Sequence, residues 1–104
     1  MTLNATTAAT RVLLIDDDAS VTRLVTDTLE QTGKYEVLPL HDPSRAEVIA
    51  RELKPDVVVI DIIMAPRDGA EILAAFERDP DLSKLPVIVM SAFLNPRVFP
   101  NSPV

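Results

Sequence analysis

Val57-Val58-Val59-Ile60-Asp61 is the stretch from which the rest of the chain can be read. Four successive β-branched apolar residues leave no room for a solvated face. That is the pattern of a strand buried on both sides, as in a parallel sheet covered by helices. The acid that ends the run marks where the backbone leaves the core. Upstream, Val12-Leu13-Leu14-Ile15 has the same character and stops at Asp16-Asp17-Asp18. Downstream, Pro86 introduces a third such run, Val87-Ile88-Val89-Met90.

The segments between these runs change to helical spacing. From Ser20, the residues Val21, Leu24, Val25, Thr28 and Leu29 are expected on one face, with Gly33 as the C-terminal cap. Tyr35 to Leu40 reads as a second strand, and Pro39 assigns it to a sheet edge. Asp42-Pro43-Ser44 opens the next helix, Ser44 and Glu47 having capping-box spacing. Ala46, Ile49, Ala50 and Leu53 form its apolar stripe, and Pro55 stops it. After Asp61 a loop runs through Pro66 and Asp68-Gly69, followed by a helix that buries Ile72, Leu73 and Phe76 and breaks at Asp79-Pro80-Asp81. The order β-α-β-α-β-α-β predicts an α/β fold, a doubly wound parallel sheet with right-handed crossovers. Such sheets bind ligands beyond the carboxyl ends of the strands, where strand order reverses. Asp16 and Asp17 follow the first strand and Asp61 the third, so the three carboxylates converge if those strands are neighbours.

Composition narrows the classes of function. The chain has 104 residues, 47% hydrophobic and 25% charged, with a mean hydropathy of +0.18, which suits one packed domain. A net charge of −6 and a pI near 4.6 argue against non-specific binding to nucleic-acid phosphates. With no cysteine and a single histidine, disulfides and thiolate or His-rich metal sites are excluded. No apolar run reaches the roughly 18 residues of a membrane helix. The first ten residues, 1–10, lack a signal-peptide pattern and read as a flexible leader. The expectation is a cytoplasmic chain with neither a nucleic-acid nor a membrane partner.

Three carboxylates at one place repel one another, and their protonation equilibria shift unless a cation compensates. A hard, oxygen-preferring ion such as Mg²⁺ takes one or two carboxylates, keeps several waters and can neutralise a transferring phosphoryl group. Asp61, at the tip of the most buried strand, has the best-defined seat and suits a covalent acceptor. Taken singly, Asp16 to Asp18 read equally well as a helix N-cap, and Asp61 as a strand-ending turn residue. Their joint placement is what favours a site. His41 reads as a surface residue, and Met64 and Phe76 as packing residues.

At this point the chain resembles the receiver domain of bacterial two-component response regulators. VLLIDDDAS (residues 12–20) resembles the first strand and acidic pair of that family, VVVIDIIMAPRDGAEIL (57–73) its phosphorylation loop, and VIVMSA (87–92) its fourth strand with the switch hydroxyl. Asp61 lies 44 positions after Asp17, and Ser91 lies 30 after Asp61, in keeping with the family. The resemblance implies a flavodoxin-like sheet in the order 2-1-3-4. It implies Asp61 as phosphoacceptor, and Asp16, Asp17, Asp61 and the backbone carbonyl of Ile63 as Mg²⁺ ligands. Ser91 matches the switch hydroxyl, and Asp68-Gly69 the turn that closes the loop. The implied donor is a histidine kinase or phosphotransfer protein, and the output a downstream protein target.

Two departures qualify this expectation. Ala65 stands where the family has proline, with Pro66 one place later. Beyond a receiver-like region at 11–92, residues 93–104 (FLNPRVFPNSPV) read as an irregular Pro-rich tail that builds neither a fifth strand nor a last helix. No residue matches the family's catalytic lysine: Lys84 precedes the fourth strand, and Arg97 is a weak substitute. The fourth strand is then expected to be an exposed edge that pairs with a second copy or another protein, or is covered by Phe93, Leu94, Val98 and Phe99. The leading function is a phosphoacceptor signalling domain that catalyses only its own phosphoryl uptake and release. The alternative is a degenerate receiver acting as an interaction or dimerisation module. A Mg²⁺-dependent phosphohydrolase is weaker, because it needs a general acid and substrate-binding insertions.

Overall fold

In the computed structural model, residues 8–64 and 67–90 are described. The strands are β1 (Thr10–Ile15), β2 (Tyr35–Leu40), β3 (Val57–Asp61) and β4 (Val87–Met90). The helices are α1 (Ala19–Glu30), α2 (Ala46–Leu53) and α3 (Gly69–Arg78), with single 3₁₀ turns at Pro43–Arg45 and Leu82–Lys84. All strand pairs are parallel, in the order β2-β1-β3-β4. The flavodoxin-like order implied by the resemblance is therefore present. No helix among the described residues is long and apolar enough to cross a membrane.

Strand alternation divides the core into two layers. Leu13, Ile15, Val58 and Ile60 face Ala46 and Ala50 of α2, Ile72 and Phe76 of α3, and Leu82. Val12, Leu14 and Val37 face the other way, against Val25 and Leu29 of α1, with Val57, Val59 and Met90 at the margin. Val12 to Ile15 are buried throughout, as a strand covered on both faces must be. Pro39 sits on the edge strand β2, where its missing N–H leaves no gap in an interior ladder.

The phase of α1 differs from the expected stripe. Leu24 is 68% exposed and Thr28 is exposed, whereas Thr22 is only 2% exposed. The inward face runs through Thr22, Val25, Thr26 and Leu29, the i, i+3, i+4, i+7 set, and Leu24 lies off it. A polar residue can turn inward here because the Thr22 hydroxyl donates to the Ala19 carbonyl at 3.0 Å and lies 2.8 Å from His41 Nε2. His41 is exposed, as expected, but this hydrogen bond joins it to the helix.

Two caps also differ. The Ser44–Glu47 box is replaced by Asp42, whose carboxylate accepts from the backbone N–H and the hydroxyl of Ser44 at the start of the 3₁₀ turn. Gly33 adopts a left-handed φ of 75° in the turn beyond the α1 cap, which is Gln31. Lys54 caps α2 in the same region, with φ 49° and ψ 58°, just before Pro55. Left-handed backbone costs a residue bearing a β-carbon more than it costs glycine. Lys54→Gly should therefore raise the stability read by urea denaturation, by about 0.5 kcal/mol after the entropy of the unfolded glycine is deducted.

Candidate metal and phosphoryl site

The site lies at the carboxyl ends of β1 and β3, where strand order reverses: β1 connects through α1 to β2 on one side, and β3 lies on the other. The registers Ile15↔Ile60 and Asp61↔Met90 bring the ends of the central strands level. Asp16, Asp17 and Asp61 each offer a carboxylate oxygen, and these oxygens all lie within 4.8 Å of one another. The convergence expected from the sequence is thus present in the geometry.

The three acids have different surroundings. Asp16 is 2% exposed, its N–H donates to the Leu40 carbonyl at 3.1 Å, and its Oδ1 accepts from Asp18 N–H at 2.9 Å. Burial raises its carboxyl above the ordinary aspartate value, and the charges of Asp61, Asp17 and Asp18 push the same way against the Asp18 hydrogen bond. Asp17 is exposed, and Asp61 half-buried. Asp18 points to another task, accepting from Ser20 N–H and Val21 N–H as the N-cap of α1. Hydrogen bonds from the hydroxyl and N–H of Ser20 hold its carboxyl below the usual range. The acidic run therefore serves both readings: two residues in the cluster and one in a cap.

Asp61 is seated from below and behind. Its Oδ1 accepts from Ile63 N–H at 3.2 Å, and the next backbone N–H, of Ile62, donates to the Met90 carbonyl at 3.0 Å. The Ile62 carbonyl accepts from Gly69 N–H at 3.1 Å, closing the loop onto the start of α3. A β-carbon at Gly69 would come within 2.3 Å of the Asp61 carbonyl oxygen and 2.8 Å of Ile62 Cα, so only glycine allows this approach. Asp68 and Glu71 form a capping box that fixes the same turn, with Asp68 Oδ1 accepting from Glu71 N–H at 2.9 Å. The D-x-x-E spacing was available in the sequence as its signal.

Other candidates fall elsewhere. Lys84 lies in the 3₁₀ turn before β4, at the opposite end of the sheet from the carboxylates. Ser91, Ala65, Pro66, Arg97 and the whole of 93–104 lie outside the described residues. Three oxygen donors at this separation fit a hard divalent cation.

Comparison with known proteins identifies the setting. Residues 12–99 match the family described as the response regulator receiver domain. The chain belongs to that family. This receiver is 32% identical over 82 residues to the DNA-binding dual master transcriptional regulator RpaA of Synechocystis, covering 79% of this chain and 34% of that one. It is 32% identical to protein PilH of Pseudomonas aeruginosa over 81 residues, covering 78% and 66%. Among solved structures it resembles chemotaxis protein CheY4 of Vibrio cholerae, at 28% identity and a TM-score of 0.75, covering 86% and 74%. The chain spans about a third of RpaA and 63% of the response regulator Rcp1 of Synechocystis.

The raised carboxyl of Asp16 has a consequence for stability. The folded state holds this proton to higher pH than the unfolded chain does. Stability therefore falls as pH rises from the ordinary aspartate value through the raised one. Asp16→Asn keeps the acceptor for Asp18 N–H and removes the charge. In metal-free protein at pH 7 it should raise the stability read by thermal or urea denaturation. A loss of stability at pH 7 would contradict this account.

Proposed function

We propose that this receiver takes a phosphoryl group onto Asp61 from the phosphohistidine of a histidine kinase or phosphotransfer protein, and passes the resulting state to a downstream protein target. The observation that carries the reading is the convergence of Asp16, Asp17 and Asp61 within 4.8 Å at the switch point of a receiver-family sheet. A carboxylate oxygen of Asp61 attacks phosphorus. The bond from phosphorus to the donor imidazole nitrogen breaks, its electron pair stays on the imidazole, and an acyl phosphate forms.

Asp16, Asp17, Asp61 and the backbone carbonyl of Ile63 would hold Mg²⁺, which supplies neutralisation of the phosphoryl oxygens. The chain's own contribution is positional. The Ile63 N–H holds one Asp61 carboxylate oxygen by a hydrogen bond. Burial and the Asp18 N–H fix Asp16 in one rotamer. We assign the switch hydroxyl to Ser91, the residue after Met90. The reading includes a cytoplasmic location and no catalysis beyond phosphoryl uptake and release. Exposed Ile88 (57%) and Val89 (42%), on opposite faces of β4, support a further contact there with a second copy or another protein.

Two measurements check this reading. Incubation with Mg²⁺ and acetyl phosphate should add one phosphoryl group, located on Asp61 by borohydride trapping and mass spectrometry, and Asp61→Asn should abolish it. Absence of uptake where a known receiver responds would refute the assignment, and uptake surviving Asp61→Asn would mean a different acceptor. For the β4 contact, sedimentation should show a dimer that dissociates on dilution or with Ile88→Lys. A monomer at every concentration would remove the second-copy form of the proposal.

A further inference from the structure

The loop leaving Asp61 is tied at its start by Ile63 N–H and at its end by Gly69 N–H. Arg67 adds a tie of a different kind. Its Nη1 donates to Glu47 Oε1 at 2.5 Å and its Nη2 to Glu47 Oε2 at 2.7 Å, while Nη1 also reaches the Pro43 carbonyl at 3.4 Å. The two side chains are 22% and 27% exposed. They lie 20 positions apart in sequence and join the amino end of α2 to the residue before the α3 cap.

An open surface ion pair contributes little, because water and salt screen it and both side chains lose freedom. This pair differs in three respects. It is a planar two-point fork, which fixes angle as well as distance. It is largely shielded from solvent. Both ends stand on backbone that is already fixed, Glu47 in the first turn of α2 and Arg67 beside the Asp68–Glu71 capping box. The Arg67 hydrogen bond also holds the Glu47 carboxyl below the usual glutamate range, so the fork stays ionised into acid.

We propose that the Arg67–Glu47 fork is a positioning device for the acidic site, holding the far end of the Asp61 loop against α2 and so fixing the Asp61 carboxylate and the Ile63 backbone toward a divalent cation. This rests on the reading of Asp16, Asp17 and Asp61 as a cation site, but its first test needs no metal. Neither residue contacts the reacting atoms; both act through the loop.

The experiment uses the full chain as wild type, Arg67→Met, Glu47→Gln and the double variant. NMR hydrogen exchange in metal-free protein reads the amides of Ile63 and Gly69, with Leu13 and Val58 as the core reference. Each single variant should speed exchange at Ile63 and Gly69 on the order of tenfold and leave the core amides nearly unchanged, as local opening does. The double variant should be no worse than either single one, because the two side chains act as one unit. Mg²⁺ affinity, titrated by amide shifts, should fall about tenfold, as when residues supporting metal ligands are lost. Arg67→Lys keeps the charge without the fork, guards against a folding failure of Arg67→Met, and should loosen the same two amides to a smaller degree.

Wild-type exchange at Ile63 and Gly69 in the variants would overturn the proposal. So would a uniform rise that includes Leu13 and Val58, which would mean a purely structural staple. Failure of wild type to take up a phosphoryl group would sink the phosphoacceptor reading and leave the fork standing. Normal uptake by wild type, together with unchanged exchange in the variants, would sink the fork alone.

Discussion

Burial of Asp16 at the end of β1, with the charges of Asp61 and Asp17 beside it, is the constraint on which the site depends. Carboxylate oxygens within 4.8 Å of one another, one of them on a residue almost wholly buried, separate unless the backbone beneath cannot move. Here the backbone is the end of two central parallel strands, β1 buried on both faces and β3 on the face of Val58 and Ile60, packed between α1 and the α2–α3 layer. Interiors of this kind are close-packed and resist small displacements. Apolar packing thus fixes the strand ends from which the three acids project. The fold supplies rigidity, and the acids supply the reason it is needed.

The elements of the fold were legible because strands buried on both faces leave long apolar runs that few other structures tolerate. Val57 to Ile60, ending at Asp61, and Val12 to Ile15, ending at Asp16, identified the sheet and the point where its acids converge, although Val57 and Val59 are only partly buried and β1, not β3, is the most buried strand. Pro39 indicated the edge strand for a local steric reason, and that reason acts unchanged in the folded chain. What was not legible depended on partners distant in sequence. Thr22 reads as an ordinary polar helix residue until His41, 19 positions away, arrives to satisfy it, and Leu24 lies exposed off the inward face. The same holds for Arg67 and Glu47: each is an unremarkable surface charge until the topology brings two helix termini together. At the caps, Asp42 displaced Ser44 because a 3₁₀ turn precedes α2, and spacing alone does not distinguish the two starts.

The site also shows a division of labour within one acidic run. Asp16, Asp17 and Asp18 carry the same side chain, yet one is buried, one faces solvent, and one caps a helix. Alternation along the emerging backbone produces the difference. Asp18 in the cap anchors α1 immediately after the cluster, and its N–H returns to Asp16 Oδ1, so helix start and acidic cluster share a hydrogen-bonded turn. Strengthening or weakening the cap therefore acts on the orientation of the buried acid as well as on the helix.

Gly69 carries a consequence for inheritance. Every single-base change in a glycine codon that alters the amino acid introduces a β-carbon or a stop, and at this position a β-carbon meets the main chain of Asp61 and Ile62. Missense alleles at a residue with no side chain, and no chemistry of its own, would then disturb the backbone that seats Asp61 while leaving all three acids in place. A geneticist mapping loss of function in this protein would find a hit eight positions from Asp61, explained by the space that glycine leaves open.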